Sequence, residues 1–539
     1  MSHVASRKAD SPQMTTALQA ARHARGWSQS RAVWELTRFA ESKGMKVASA
    51  ASLKTQLSRW ENGHVTPDYY QELLRDFYNI PSDELGISNQ QRAPVSALGN
   101  GDSAELISDP EWLRTFDQFD QEAGWEPGRA RHRVAAQLIE VDAPDVQDRA
   151  NLRGRIGQNR IAEALGGYYG SCGHEAAGYG RYSARVGHGN PISTSVLTHP
   201  GWLDLDCPLD GDSDRLTLTT PPCSSDVPLG TAITTVAARR LAEALAVGGR
   251  IVDRPLYRLL DTDIRRGQIA GSVSVMPFVR YAMTMDLLEG ELLDALSAGQ
   301  PALPGSLPLR DRYLPDVTSG LGIGGRLCAG GALALCAIAR PASRHRGPAD
   351  YALLVQQRSS QVVNATRRLA VIPKGFHQPM TDYRADARIG ATLRRELEEE
   401  LFGREDADNT RTTGRHAADP MHPARLSEPM RWLASEPGRL RLECTGFGLN
   451  LVSGNFEFAC LVVIESEDFW SQYGGDVATN WEASTLRLCS SLDGDSVTEL
   501  ARDVSWSNEG SFAFLQGLRR LRQLGTNRVN LPPIDWETG

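Results

Sequence analysis

Three glutamates close to residue 400 have the side-chain type and the spacing for cation chemistry. They are Glu396, Glu399 and Glu400. The pattern of apolar residues predicts a helix over Ala387–Phe402, and on that helix the three carboxylates share one face. Their mutual repulsion destabilises the helix unless a bound divalent cation relieves it. The other reading is a solvated helix face, on which Arg394 and Arg395 offset the charge of the run Glu398–Glu400.

This segment resembles the loop-helix box of Nudix domains. In that family a glycine-containing turn precedes a helix with the pattern Arg-Glu-x-x-Glu-Glu. Val371-Ile-Pro-Lys-Gly375 supplies a comparable turn, and the helix pattern is matched by Arg395, Glu396, Glu399 and Glu400. The resemblance implies an α/β/α sandwich in which the three box glutamates bind Mg²⁺. It also implies that the ion polarises a diphosphate and activates water against it.

The sequence departs from the family pattern in front of the box helix. The family places a further glutamate there, whereas Gly375–Arg394 contains none and Ala387 stands at the corresponding position. Asp382 and Asp386 are the only carboxylates in that stretch. Hydrolysis needs a metal held in fixed geometry and a positioned water, so this loss harms turnover more than affinity. We therefore predict a domain that binds a nucleotide-like diphosphate with Mg²⁺ but does not efficiently hydrolyse it, and we assign no catalytic residue.

A second segment, Ser52–Gly63, has the pattern of a helix that binds nucleic acid. Leu53, Leu57 and Trp60 recur at helical spacing, and Trp60 is predicted to be a core residue rather than a DNA contact. The remaining surface is rich in hydrogen-bond donors, namely Ser52, Lys54, Thr55, Gln56, Ser58 and Arg59. Such a helix suits a nucleic-acid groove. The alternative is an ordinary amphipathic surface helix.

The flanking residues favour the nucleic-acid reading. Upstream, Leu18–Gln29 contains a helix, and Ser28 caps the next helix with Gln29 inside its first turn. The order of elements over Met14–Ile87 resembles the helix-turn-helix domain of the lambda-repressor and Cro type (XRE-like). The resemblance implies that Gln29 and the donors above contact double-stranded DNA, and that a homodimer binds two half-sites. Glu41–Lys46 is an apparent insertion relative to that family.

The charge distribution supports a DNA-binding N-terminus. Up to His64 the chain has ten basic and four acidic residues, whereas the whole chain has a net charge of −8. A basic end on an acidic chain is typical of phosphate binding.

Length and composition indicate a multidomain cytoplasmic protein. The chain has 539 residues, of which 41% are hydrophobic, and no apolar run is long enough to span a membrane. Its N-terminus lacks a signal-peptide core, and its eight cysteines form no C-x-x-C pair, as expected for reduced thiols. The predicted division is a disordered tail (1–13), an all-α helix-turn-helix domain (14–87), a linker (88–108), an α+β domain of unassigned role (109–318), a Nudix-like domain (319–525) and a C-terminal tail (526–539).

Two further patterns are predicted to be structural. Gly320–Gly325 reads G-x-G-x-x-G, but a proline-rich segment precedes it and a strand-like one follows, so we interpret it as a glycine turn entering a sheet. His174, His188 and His199 are too irregularly spaced for a metal site.

The sequence as a whole predicts a transcriptional regulator with a C-terminal ligand-sensing domain. Two alternatives stay open: a Mg²⁺-dependent Nudix hydrolase that carries a helix-turn-helix domain, and a Nudix-like fold that serves as a protein-interaction scaffold.

Overall fold

The computed structural model divides the chain into two compact units, Met1–Ala93 and Pro94–Gly539, called here the N-terminal unit and the larger unit. The described residues are 16–25, 27–43, 47, 50–61, 66, 68–81, 84–87, 109–170, 178–219, 231–249, 251, 253–344, 346–358, 368–404, 419–474, 483–525 and 527–539. The predicted tail (1–13) and linker (88–108) lie outside them. No helix in these residues is both long and apolar enough to cross a membrane.

The described part of the N-terminal unit is helical. Its helices are α1 (Ala17–Ala24), α2 (Gln29–Ser42), α3 (Ala50–Glu61) and α4 (Asp68–Tyr78). Ser28 Oγ accepts a hydrogen bond from the Arg31 N–H, so Ser28 caps α2 as predicted. The apolar stripes of the four helices meet in one core that includes Leu18, Leu36, Leu53, Leu57 and Leu73.

Trp60 belongs to that core. Its side chain is 5% exposed, and its ring lies 4.8 Å from the ring of Tyr70. The prediction that Trp60 is a core residue is confirmed. The next residue, Glu61, is also buried and connects three helices: it accepts from Arg22 Nη2 at 2.8 Å and from Gln29 Nε2 at 3.0 Å.

The larger unit begins with helices and a small sheet. The helices are α5 (Pro110–Ala123), α6 (Arg129–Glu140), α7 (Ala143–Gly154), α8 (Gln158–Tyr169) and, further along, α9 (Thr231–Ala246). The small sheet has the order β4 (Asp214–Leu218), β6 (Gln268–Pro277), β5 (Pro255–Arg265), with β4 parallel to β6. Short helices follow it: α10 (Phe278–Ala282), α11 (Leu287–Ser297), α12 (Pro308–Tyr313) and α13 (Val317–Leu321). After α13 a 3-10 turn (Ile323–Gly325) is followed, after four residues, by strand β7 (Gly330–Arg340), so the glycine segment leads into a sheet as predicted.

A mixed eleven-stranded sheet forms the centre of the larger unit. Its main path runs β13 (Ala483–Ser490), β8 (Asp350–Arg358), β7 (Gly330–Arg340), β12 (Phe456–Ile464), β11 (Leu440–Asn450), β2 (Ile192–Thr198), β1 (Gly180–Val186), β14 (Ile534–Thr538). Three short strands lie beside this path: β3 (Leu203–Pro208) on β11, β9 (Leu369–Val371) on β8 and β10 (Lys374–Phe376) on β7. The central pair, β7 and β12, is parallel.

Helices cover both faces of this sheet. Alternate residues of a strand point to opposite faces, and β7 divides accordingly: Ala334 and Cys336 pack in one core, Leu333 and Leu335 in another. The first core receives α14 (Ile389–Glu396), which carries Arg395 and Glu396, the first two residues of the predicted box. The second receives α18 (Asn508–Leu524). Helix–sheet–helix layering is therefore present around the box. The remaining helices are α15 (Glu428–Ala434), α16 (Glu467–Tyr473) and α17 (Gly494–Ala501).

The structure differs from the sequence-based division at two places. Strands β1 and β2, from the predicted middle domain, pair into the same sheet as β11 and β12, so no boundary between compact units falls near residue 318. The fully buried Arg310 spans that position by donating to the Val452 carbonyl at 2.7 Å. The expected C-terminal tail contains β14, which completes the sheet edge beside β1. Both differences arise from strand pairing between residues far apart in sequence, which local patterns do not encode.

Candidate functional site

Helix α3 carries most of the residues predicted to contact DNA. Leu53, Leu57 and Trp60 hold it against the core, whereas the Lys54 side chain is exposed and that of Gln56 is half-buried. The backbone of α3 includes four further predicted contacts whose side chains lie outside the described part of the structure: Ser52, Thr55, Ser58 and Arg59. The last predicted contact, Gln29, donates its side-chain amide to the buried Glu61, so this amide has a structural partner.

The exposed face of α2 has a feature that the sequence reading did not identify. The Trp34 side chain is 46% exposed. The guanidinium carbons of Arg31 and Arg38 lie 4.5 and 4.7 Å from its ring centroid, within the range of cation–π contacts. The signal was available, because arginines three residues before and four residues after an aromatic residue share its helix face.

The box helix α14 continues into a π-helical turn, Leu397–Leu401, in which the Phe402 N–H donates to the Leu397 carbonyl at 3.1 Å. A π turn shifts the angular positions of the residues that follow it, and such turns are frequent at functional sites. Glu396 precedes this turn, whereas Glu399 and Glu400 lie within it. The regular helix assumed from sequence therefore does not hold at the box.

Each predicted metal ligand has a partner within the protein. The Glu396 carboxylate pairs with the guanidinium of Arg395, and Glu399 Oε1 lies 3.7 Å from Arg395 Nε. Glu400 is fully buried, and its Oε2 accepts the backbone N–H of Lys374 at 2.7 Å. Among the described residues, no three His, Cys, Asp or Glu side chains are grouped so that they could hold a metal ion.

The predicted Mg²⁺ site at Glu396, Glu399 and Glu400 therefore does not fit this arrangement. The solvated-face alternative does not fit either, because Glu398 and Glu400 are both fully buried. Glu398 Oε1 accepts hydrogen bonds from the Ser427 N–H at 3.0 Å and the Ser427 hydroxyl at 3.1 Å. Buried carboxylates require such partners, since the cost of desolvating an unpaired charge is several kcal/mol.

A buried polar cluster lies next to the box and combines Lys374, Asn450, Glu457, Asn508 and Glu509. The Lys374 ammonium forms an ion pair with Glu509, and the side chains of these two residues are 15% and 10% exposed. Asn450 Nδ2 donates to Glu509 Oε2 at 3.1 Å, and Asn508 Nδ2 donates to Asn450 Oδ1 at 2.7 Å. The cluster thus joins β10, β12, the end of β11 and the start of α18.

The two carboxyls of this buried polar cluster have opposite pKa shifts. Burial and the negative charge of Glu509 raise the pKa of Glu457 from 4.5 to about 8. Burial alone would raise the pKa of Glu509 as well, but Lys374 reverses this effect and lowers it to about 2. Near neutral pH, Glu509 is therefore the ionised member of the pair and Glu457 is the protonated one.

Two glycines make room for the buried carboxyls. A Cβ on Gly331, the β7 residue opposite Glu457, would lie 2.0 Å from Glu457 Oε2. A Cβ on Gly375 would lie 2.0 Å from Glu396 Oε1. Sequence reasoning missed this buried polar cluster because Lys374 and Glu509 are 135 residues apart and meet only through the fold.

Of the histidines predicted to be structural, His188 and His199 belong to no group of three or more His, Cys, Asp or Glu side chains that could hold a metal ion among the described residues. His199 Nδ1 accepts the Gly201 N–H at 2.9 Å, His188 is exposed, and His174 lies outside the described residues. A fourth histidine, His377, is fully buried against Thr392 at 2.8 Å. Burial, followed by the charge of Arg395, lowers the pKa of His377 to about 3, so its ring is neutral.

Comparison of the sequence with models of known protein families gave no match, and comparison with curated proteins gave none either. The resemblances to helix-turn-helix and Nudix domains therefore rest on the short motifs that carry them. Beyond these motifs, the structure shows a helical unit with Trp60 in its core and a helix–sheet–helix arrangement around the box.

Proposed function

We propose that this protein is a cytoplasmic DNA-binding transcriptional regulator whose larger unit senses a small ligand. The observation that carries the DNA-binding part is the two-sided character of α3. Its apolar residues Leu53, Leu57 and Trp60 are buried. Lys54, which follows Leu53 in sequence, is exposed. A helix anchored in this way can present its polar residues to the major groove.

The charge of the N-terminal segment supports the same proposal. Ten basic residues against four acidic ones up to His64 favour association with phosphates, whereas the net charge of −8 for the whole chain does not. The exposed Trp34, flanked by Arg31 and Arg38, adds an aromatic and cationic surface to α2. Helix-turn-helix domains of this type bind two half-sites as dimers, so we propose a homodimer on double-stranded DNA.

The proposal treats the larger unit as a sensor rather than a hydrolase. A Nudix hydrolase requires a metal held by the box glutamates, and in this chain those glutamates are engaged with Arg395 and with the Lys374 backbone. A ligand that is bound but not destroyed can hold one conformational state. Turnover of nucleoside diphosphates near ~1 s⁻¹ or above, within the ordinary range of enzymes, would overturn this part of the proposal.

DNA binding is tested with the full chain by enriching duplexes from a random pool and measuring retardation of the enriched sequence. We expect Lys54→Ala to weaken specific binding by about 1–3 kcal/mol and to relax specificity at one base step. The matched control is Arg75→Ala, because Arg75 is an exposed cation on α4. It should leave both properties unchanged.

Two outcomes would overturn DNA binding as the function of the N-terminal unit. One is the absence of any enriched sequence at low and at physiological salt. The other is equal loss of binding for the Lys54 and Arg75 variants, which would indicate a general charge effect. The slope of log affinity against log salt separates the two roles of a cation, because a lost phosphate contact reduces that slope whereas a lost base contact reduces specificity.

A further inference from the structure

A pocket of about 470 Å³ lies against the box helix. Its walls come from the loop in front of α14, from α14 itself, and from the segment that contains α15 and the start of β11. The volume is within the usual range of small-molecule sites, about 300–1,000 Å³. The buried polar cluster at Lys374 is separate, since none of its residues lines the pocket.

Much of the pocket wall is apolar and adaptable. Methionines and leucines contribute from both sides, among them Met380, Met421, Met430, Leu433 and Leu440. Methionine side chains are flexible and polarisable, so they can adjust to ligands of different shape. This lining favours a ligand with an apolar body.

Three of the four charged side chains in the wall already have protein partners. Arg395 pairs with Glu396 and donates to the Phe376 carbonyl at 3.2 Å. Asp386 Oδ2 accepts the N–H groups of Met380 at 2.8 Å and Thr381 at 3.2 Å. Glu436 Oε1 lies 2.6 Å from Arg439 Nη2. These three groups therefore do not need a ligand as a partner.

Arg394 is the exception. Its side chain is exposed and contributes to the pocket wall, and its guanidinium forms no hydrogen bond or ion pair with a described residue. The surrounding protein lowers the pKa of Arg394 by desolvation, an effect partly offset by the charges of Asp214 and Asp210. A guanidinium presents a planar fork of donors that matches a carboxylate or a phosphate group.

We infer that this pocket binds an amphiphilic anion, a small molecule whose apolar body packs among the methionines and leucines and whose single oxyanion group pairs with Arg394. The inference rests on the proposed sensing function and names the chemistry of the ligand. A nucleoside diphosphate fits less well, because Arg394 is the only charged wall residue without a partner among the described residues. The carboxylates of Asp386 and Glu436 would also repel a second or third negative charge.

The test uses the full chain and decanoate as the probe, with binding measured by titration calorimetry. Decanol provides the same apolar chain without the charge, acetate and inorganic phosphate provide the charge without the chain, and decyl phosphate distinguishes a phosphate head from a carboxylate. We expect decanoate or decyl phosphate to bind at least about tenfold more tightly than decanol, a difference of about 1.4 kcal/mol, because hydrogen bonds between charged groups are stronger than those between neutral groups.

Substitutions in and near the pocket show whether the probe binds there. Arg394→Gln should lower the affinity for the anionic probe at least about tenfold and leave that for decanol unchanged. Ala434→Phe, which places a large side chain into the pocket from α15, should abolish binding of both probes. The matched control is Arg431→Gln on the same helix, since Arg431 is exposed and does not line the pocket.

The inference is overturned if no decyl compound binds, if decanol binds as tightly as the anions, or if Arg394→Gln and Arg431→Gln behave alike. Its failure can be told from a failure of the proposed function, because DNA retardation is measured separately on the same proteins. If the probe binds through Arg394 but does not change DNA affinity, the pocket assignment holds and the sensing proposal fails.

Discussion

Lys374 precedes the box helix in sequence and Arg394 lies on it, and these two cations have different surroundings in the protein. Lys374 is mostly buried and forms an ion pair with Glu509, which in turn receives a hydrogen bond from Asn450. Arg394 is exposed in a pocket with no protein partner among the described residues. A buried charge with complete pairing contributes to the stability of one conformation, whereas an unpaired charge in a concavity is available for a ligand. The comparison predicts that mutation of Lys374 strongly lowers the stability of the larger unit, whereas mutation of Arg394 leaves it unchanged.

The largest expected effect is that of Lys374→Met. Removing the ammonium leaves Glu509 buried without its counter-charge, and breaking a buried pair in this way costs about 3–5 kcal/mol. Urea unfolding of the full chain, followed by the transition of the larger unit, should show a lower midpoint. Lys374→Arg retains the charge and serves as the control.

A double variant tests whether this loss of stability comes from the unpaired Glu509. If the cost arises from the unpaired Glu509, then Lys374→Met combined with Glu509→Gln should be less destabilised than the sum of the single variants. Additive effects would mean that the pair contributes nothing as a pair, and the contrast with Arg394 would lose its basis.

The next effect is steric and concerns Gly331. A Cβ at this position would lie 2.0 Å from the Glu457 carboxyl, so Gly331→Ala should destabilise the larger unit by about 1–3 kcal/mol, the usual cost of overpacking. Gly325→Ala is the matched control, because a Cβ there meets nothing within 4 Å. Equal unfolding midpoints for the two variants would show that Glu457 is not held against β7.

The sequence predicted individual elements better than their arrangement. The start of α2 is predicted by Ser28, which caps it, and Trp60 is predicted to be a core residue, because a helix cap and an apolar stripe are both short-range patterns. The membership of β1, β2 and β14 in one sheet with β11 and β12 was not predicted. Strand partners are selected by contacts between distant residues, so alternation within a strand identifies its faces but not its neighbours.

The candidate site shows the same limit. The spacing of Glu396, Glu399 and Glu400 was read on a regular helix, and the π turn at Leu397–Leu401 changes which way the later residues face. The partners of these glutamates come from outside the helix, as with the Lys374 backbone for Glu400. The motif therefore predicts a helix in this segment but not the partners of its glutamates, since those partners come from residues brought in by the fold.

A smaller effect concerns pH. The folded-state pKa of Glu457 is raised from 4.5 to about 8, so its favourable contribution is complete below about pH 4.5 and is lost as the pH rises towards 8. Glu509 has the opposite sign, with a pKa of about 2, and its contribution is constant above pH 5. Between pH 5 and 8 the contribution of Glu457 to the free energy of unfolding should therefore fall by at least about 1 kcal/mol, since one pKa unit corresponds to 1.36 kcal/mol.

Glu457→Gln isolates this contribution. The amide stays neutral at every pH, so the variant should lose less stability than the unmodified protein between pH 5 and 8 in urea unfolding. Parallel curves for the two proteins would show that Glu457 does not hold a proton in the folded state.

The smallest expected effect on stability is that of Arg394→Gln. Its guanidinium has no protein partner to lose among the described residues, and surface substitutions of this kind usually change stability by within about 0.5 kcal/mol. Desolvation lowers the pKa of Arg394, so removing the charge relieves a cost rather than a favourable contact. Urea unfolding without any probe should give the same midpoint as the unmodified protein, whereas unfolding with decanoate should show stabilisation only where Arg394 is present. A large loss of stability without the probe would mean that Arg394, like Lys374, is a structural cation. The two cations would then no longer differ in role.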